Sequence, residues 1–286
     1  MNKFTRRTVI AAACAAAAMT FGPMSLAQQA PEKKDVTIAV GGKSLYYYLP
    51  LSIAEQLGYF KDEGLNVKIV DFQGGSRSLQ AVVGGSADVV SGAFEHTISM
   101  QAKKQPMTAF VLQGRAPQLA LVVSNKTMKD YKQLSDLKGK KVGVTAPGSS
   151  SQMVANFILK KGGLGPKDVA FIGVGSSSGA VSAIRSGQID ALINLDPVIT
   201  ILLKNGDAKL VADTRKVKES ESFFGGTMPA GCLYAPVSFI EKNPQTVQAL
   251  TNAIVRADEW LSKATPEEVA KVVPASYLMG NRDIYL

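Results

Sequence analysis

The chain has 286 residues, 46% of them hydrophobic and 19% charged, with 26 glycines, 13 prolines and two cysteines. That length supplies two ordinary domains with an ample core, and the apolar share excludes wholesale disorder, collagen and coiled coil. The only long uncharged apolar stretch lies at the N-terminus, which excludes a polytopic membrane protein.

That stretch reads as a targeting signal. Lys3, Arg6 and Arg7 precede an apolar run from Val9 to Met19 that is too short to span a bilayer. Ser25-Leu26-Ala27 then offers the small residues a signal peptidase reads. Residues 1–27 are expected to be a signal peptide and the protein to be periplasmic. Thr5-Arg6-Arg7-Thr8-Val9-Ile10 fits a twin-arginine route, and an ordinary Sec signal fits as well. Cys14 lacks the aliphatic residue that a lipoprotein signal places ahead of its cysteine. Without the signal the formal charge falls from +9 to +6, since three basic residues and no acidic ones leave. A modest positive charge favours small anions weakly. No basic run is interleaved with aromatics, so nucleic acid is not an expected partner. Cys232 then stands alone, which excludes an intramolecular disulfide and fits a small buried apolar residue.

Val36 to Val40 is predicted as a strand ending in Gly41-Gly42-Lys43-Ser44. Residues 50–62 follow as a helix, opened by Pro50 and stopped at Gly64. Val67 to Phe72 is the next strand, Gly74-Gly75-Ser76 opens a helix over 77–84, and Asp88 to Ser91 is a third strand. This βαβαβ order calls for a parallel sheet covered by helices. The order returns with a strand at 142–145, a helix over 152–161, a strand at 169–174, a helix over 180–186 and a strand at 191–195. An offset of 102 pairs Ala81, Val82, Gly85 and Asp88 with Ala183, Ile184, Gly187 and Asp190, and one of 106 pairs Val36 with Val142 and Gly42 with Gly148. Two copies of one plan imply two α/β lobes.

Between the copies, Met107 to Leu112 and Leu119 to Ser124 read as strands leaving the first lobe. Gly231 to Ala235 is another strand. Asn243 and Pro244 then begin a helix with an apolar stripe through Val247, Leu250, Ile254, Ala257 and Leu261. Lobe 1 is expected to comprise 35–123 and 229–286, and lobe 2 124–228. Two crossings make a hinge, with a ligand in the cleft between.

Ligands of parallel sheets bind beyond the carboxyl ends of the strands, here loops 41–47, 73–76, 92–96, 147–151, 175–178 and 194–197. Several are Gly/Ser-rich and run into helices, so free N–H groups and the positive ends of helix dipoles face the cleft. Pro147-Gly148-Ser149-Ser150-Ser151 is the best anion cradle, Lys43 could add a charge, and Ser149 could equally be a helix cap. Tyr46-Tyr47-Tyr48 and Phe94 supply aromatic surface, with core packing expected for at least one tyrosine. Catalytic patterns are poor. His96 is the only histidine and no nucleophile motif accompanies it. Glu95-His96 either contacts a ligand or caps a helix over 93–103. One histidine, a lone cysteine and scattered carboxylates do not make a metal site. Gly41-Gly42-Lys43-Ser44 lacks the leading glycine of a phosphate loop.

Tyr47-Tyr48-Leu49-Pro50-Leu51-Ser52-Ile53-Ala54 and Gly58-Tyr59-Phe60-Lys61-Asp62-Glu63-Gly64-Leu65-Asn66-Val67 resemble the opening of the nitrate/sulfonate/taurine-type substrate-binding proteins of ABC importers. Gln73-Gly74-Gly75-Ser76, Gly84-Gly85-Ser86-Ala87-Asp88-Val89 and Asp136-Leu137-Lys138-Gly139-Lys140-Lys141-Val142-Gly143-Val144 continue the resemblance. It implies a type II periplasmic-binding-protein fold, without cofactor or catalysis. Such a protein acts as a monomer that docks on a permease and its ATPase at the inner membrane. Implied ligand contacts are Gly42, Lys43, Ser44, Tyr46, Gly75, Ser76, Phe94, Glu95, Ser149, Ser150, Ser151, Asn194 and Asp196. Lys43 and the serine loop suit an organic sulfonate or carboxylate, the expected ligand, whereas Glu95 and Asp196 suit a cation or amine. An enzyme on the same fold, such as relatives that make thiamine precursors, and an exported sensor module remain the alternatives. Family members continue for several tens of residues past a segment like Tyr277 to Leu286, so the C-terminal part is expected to be truncated.

Overall fold

The computed structural model describes residues 30–286, so the expected signal peptide and Cys14 lie outside the described residues. The short apolar runs form strands β1 (Asp35–Val40), β2 (Asn66–Asp71), β3 (Val89–Ala93), β4 (Met107–Leu112), β5 (Ala120–Ser124), β6 (Lys141–Val144), β7 (Ala170–Gly173), β8 (Ala191–Asn194), β9 (Ala208–Asp213) and β10 (Gly231–Pro236). They make two five-stranded sheets, ordered β2-β1-β3-β10-β4 and β7-β6-β8-β5-β9. Each sheet is parallel across its first three strands. Its fourth strand, β10 or β5, runs antiparallel to both neighbours. The central strands β3, β5 and β8 are buried along their whole length, whereas the edge strands β2 and β9 carry exposed Lys68 or Lys209. Strands covered on both faces must be continuously apolar, and charged edges discourage further pairing.

The internal repeat is real, with one change of register. Asp88 accepts the Thr37 N–H at 2.9 Å and Asp190 the Lys141 N–H at 3.0 Å, so the repeated acid ties the third strand of each unit to the first. Ile38 pairs with Val89 and Val142 with Ala191. The counterpart of Val142 is therefore Ile38, not Val36, and the second copy has a shorter connection after its first strand: Ile38 pairs with Ile69, 31 residues on, and Val142 with Phe171, 29 residues on.

The crossings differ from expectation at one point. β5 pairs with β8 and β9, so Leu119 to Ser124 belongs to the second sheet and the first crossing precedes it. The boundary expected at 123/124 falls inside β5 and is corrected to the stretch between β4 and β5. That crossing is fastened at both ends. Gln113 N–H bonds Gly231 O at 2.6 Å, and Leu119 and Thr214 exchange backbone bonds at 2.8 Å and, through the Thr214 hydroxyl, 3.2 Å. The return path leaves β9, forms a helix at Val217–Phe224 that stacks Phe224 on Phe157, and enters β10.

Helices follow most of the predicted positions. The one expected over 50–62 is divided into α1 (Leu49–Gln56) and α2 (Tyr59–Asp62) by Gly58, whose φ of +79° no helix interior accepts. Then come α3 (Gly75–Val83), α4 (Glu95–Ala102), α5 (Ser150–Lys161), α6 (Ser178–Ser186) and α7 (Val198–Lys204). The helix begun by Pro244 runs to Leu261 and packs on α1 and α2. Leu250 and Ile254 on its inner face are fully buried, each contributing about 1.5–3 kcal/mol of apolar burial. Among the described residues, no helix is long and apolar enough to cross a membrane.

Candidate functional site

The carboxyl ends of β1 to β3 face those of β6 to β8, and the loops beyond them meet. Ser76 donates its backbone N–H to Ser149 Oγ at 3.0 Å. Ser149 Oγ donates to Ser76 Oγ at 3.1 Å, and Ser76 Oγ to Pro147 O at 2.9 Å. Tyr46 N–H bonds Asp196 O at 3.1 Å. Gly74, at φ +100°, comes so near the opposite lobe that a Cβ there would lie 2.8 Å from Ala146 Cβ. Two adjoining openings remain in the cleft. One, of about 360 Å³, is lined by Phe72, Gln73, Arg77, Thr145, Pro147 and Gly173. The other, of about 440 Å³, is lined by Gly42, Ser44, Asp71, Ser176 and Ser177, and shares Phe72, Gln73 and Gly175 with the first.

Most of the groups expected to hold an anion are already engaged. Lys43 Nζ pairs with Glu55 at 2.8 Å, a residue on α1. Gly42 and Lys43 give their N–H groups to Asp71 at 2.8 and 2.9 Å. Ser151 Oγ accepts the Thr145 N–H at 3.1 Å and bonds its hydroxyl at 2.9 Å. Gly148 N–H goes to Gln152 at 2.7 Å. Ser149 is not a side-chain cap of α5, and its hydroxyl holds the opposite lobe instead. Ser150 is half-buried at the first position of that helix.

Asn194 is fully buried, donating to Gly175 O at 3.0 Å and accepting the Leu195 N–H at 2.9 Å; it fixes the 175 loop. Asp196 takes the Thr200 N–H and hydroxyl at 3.0 and 2.8 Å and meets Arg215 at 3.2 Å. Arg215 also forks onto Asp213, which raises the pKa of its guanidinium further. Of the three tyrosines, Tyr47 and Tyr48 are buried in the core. Tyr46 is half-buried, bonds the Tyr285 carbonyl through its hydroxyl, and packs edge-on against the Tyr285 ring at 4.8 Å. Its own ionisation is pushed up by burial.

Glu95 differs from every other acid of these loops. Among the described residues no side chain pairs with it, and the hydrogen bond it receives comes from its own backbone N–H. Burial raises its pKa to about 7, and it is close enough to act electrostatically on Tyr47, Tyr48, Cys232 and Tyr234. The neighbouring Phe94, half-buried, is the N-cap of α4 without a side-chain bond, so neither Glu95 nor His96 caps that helix. His96 is buried beneath Gly75 and its Nδ1 meets the Tyr234 hydroxyl at 2.9 Å. Desolvation holds its pKa down to about 4 against the pull of the Gly148 backbone, so it is neutral. Cys232 is buried in β10, its thiol pushed up to about 12 by burial and then by Glu95. Among the described residues, no three His, Cys, Asp or Glu side chains gather as a metal ion would need.

A family model described as "NMT1/THI5 like" matches residues 46–269. The chain belongs to the NMT1/THI5-like family. A solved structure from Bordetella bronchiseptica RB50 is 62% identical, covers 90% of this chain and 81% of its own, and superposes with a TM-score of 0.89. The alkanesulfonate-binding protein SsuA of Xanthomonas axonopodis pv. citri, bound to MOPS, is 20% identical with a TM-score of 0.67, covering 88% and 84% of the two chains. Among named family relatives, YtlA of Bacillus subtilis, named as a binding protein, is 25% identical over 96% of this chain and 79% of its own. A 4-amino-5-hydroxymethyl-2-methylpyrimidine phosphate synthase of Aspergillus parasiticus is also 25% identical, over 87% and 74%. The fold is the periplasmic-binding-protein fold, with two α/β lobes.

The sequence located the loops and missed several of their working partners. Asp71, Arg77, Arg215 and Tyr285 meet the cleft loops or their anchors, and Gln113 ties the first crossing to Gly231. Asp71 and Arg77 were within reach of sequence reasoning, because each lies beside the Gln73-Gly74-Gly75-Ser76 loop. The other three come from distant segments that only the fold brings near.

Proposed function

We propose that the protein is an extracytoplasmic solute-binding protein. It captures one small organic solute between its lobes and presents the closed form to an ABC permease and its ATPase. The observation that carries this reading is the direct seam between the lobes, in which Ser76 and Ser149 hydrogen-bond across the mouth. A seam made of small groups closes over a solute without occupying its place, and a solute that touches both lobes favours the closed form by its differential affinity. The family membership and the binding-protein name of YtlA support it.

An organic anion would rely on Arg77 and on loop N–H groups, since Lys43 and Ser149 are engaged elsewhere. An enzyme is the second reading, favoured by the synthase name of some relatives. A thermal-shift panel of sulfonates, carboxylates, nitrate, amines and pyrimidines, followed by small-angle scattering of each hit, tests the first reading. A binder raises the midpoint by mass action and contracts the molecule. Conversion of a bound compound, lost in His96→Ala, would replace it with the second.

A further inference from the structure

Resting on the reading of the cleft as a solute site, we infer that the solute is a hydroxylated organic acid, a sugar acid in chemical class. Its acid group meets Arg77, and its hydroxyls meet Asp71 and the Ser176 loop. Among the described residues, Arg77 and Asp71 are the charged side chains that line the two cleft openings, one in each. The Arg77 guanidinium is exposed and has no hydrogen-bond or ion-pair partner among the described residues. It offers a planar fork of donors that fits a carboxylate.

The other opening asks for a different group. Asp71 Oδ1 accepts from Gly42 and Lys43, and its Oδ2 takes no donor among the described residues. Donors line the same opening. Ser176 is only 7% exposed, yet its hydroxyl has no partner among the described residues. Helix α6 begins at Ser178 without a side-chain cap, so the N–H groups of Ser178 and Gly179 have no partner within the helix. A hydroxyl gives its proton to Asp71 and accepts from these donors in turn. An ammonium has no lone pair to accept with, and a carboxylate has no proton to give. The acid end therefore belongs on Arg77 and the hydroxyls beside Asp71.

Phe72 and Gln73 line both openings and join the two ends. Half-buried Phe72 presents an apolar face to a carbon skeleton, and the Gln73 amide both donates and accepts. The openings, of about 360 and 440 Å³, have the size of a small-molecule site.

The test is calorimetric titration of the purified protein at neutral pH with glucuronate, galacturonate and gluconate. Glucose, cyclohexanecarboxylate, ethanesulfonate and β-alanine are titrated alongside. Expected is a hydroxylated acid that binds at least tenfold more tightly than glucose and than cyclohexanecarboxylate. Arg77→Gln should erase the advantage over glucose. Asp71→Asn keeps one oxygen for the Gly42 and Lys43 N–H groups and turns the other acceptor into a donor. That variant and Ser176→Ala should each lose at least fivefold for hydroxylated acids and leave cyclohexanecarboxylate unchanged. Cyclohexanecarboxylate or ethanesulfonate binding as tightly as the sugar acids would overturn the hydroxyl arm and keep the solute-binding reading. So would β-alanine binding most tightly, which would give Asp71 an ammonium. Absence of binding by every compound, here and in the wider thermal-shift panel, would overturn both. Circular dichroism of each variant separates a lost site from a lost fold.

Discussion

Ser149 Oγ accepts the Ser76 N–H at 3.0 Å and donates to the Ser76 hydroxyl at 3.1 Å, so one side chain of the second lobe satisfies two groups of the first. These bonds exist only while the lobes touch. Ser149→Ala should leave the open form intact and weaken the closed one by roughly 1–3 kcal/mol, at about 0.5–1.5 kcal/mol for each bond lost. Calorimetric affinity for any solute should fall accordingly. Ser150→Ala serves as the control, and equal affinities for the native protein and Ser149→Ala would remove the seam from the binding cycle.

Gly74 permits the closest approach of the two loops. Gly74→Ala would place a methyl group 2.8 Å from Ala146 Cβ and force a side chain onto a φ of +100°. Scattering should show the variant no longer contracting when solute is added. Combining it with Ala146→Gly removes the collision but not the backbone strain, so closure should return while the melting temperature stays low. A double variant that remains open would assign the whole effect to strain.

The raised pKa of Glu95 sets a sign for the pH dependence. The folded state holds its proton up to about 7, above the ordinary value of 4.5. Its contribution to stability is thus present below 4.5 and lost as pH rises through 7. Tyr47, Tyr48, Cys232 and Tyr234, which share its field, all have pKa values raised by burial and stay protonated across this range. Glu95→Gln should therefore melt higher than the native protein at pH 8 and differ little at pH 4. Equal melting temperatures at both pH values would return Glu95 to an ordinary exposed carboxylate.

His96 gives the opposite slope. Its pKa lies near 4, below the ordinary 6.5, so its contribution is present above 6.5 and is lost as pH falls through 4. Tyr234→Phe deprives Nδ1 of its hydrogen-bond partner and should cost about 1–3 kcal/mol, the penalty of an unsatisfied buried polar group. Denaturant titration at pH 7 measures it. No change would mean that water replaces the tyrosine hydroxyl.

The lobes, their order and the loops at the strand ends were legible because they rest on local signals. Apolar runs closed by Gly/Ser turns recur in one order, and Asp88 and Asp190 mark the same tie in both copies. The sheet to which β5 belongs was not legible, since an apolar run names no partner, and its place follows from pairing with β8 and β9. The charges misled for the same reason. Lys43 looked available until helix α1 brought Glu55 to it, and Ser149 looked like a cap until the opposite lobe supplied Ser76. Glu95, weighed in the sequence as one of two acids, stands apart only once Arg215 is seen to claim the other.

The fastening of the first crossing limits how the molecule can breathe. Between the bond at Gln113 and the pair at Leu119 and Thr214, only Gly114, Arg115, Ala116, Pro117 and Gln118 bridge the gap. At roughly 3.4 Å per residue, such a tether reaches about 20 Å when fully drawn out. The lobes cannot drift apart as two beads on a string. They open like the covers of a book bound along one edge, with the spine at Gln113 to Leu119 and the free edges at Ser76 and Ser149. On the solute-binding reading proposed above, a permease touching both covers would meet one angle, set by the bound solute.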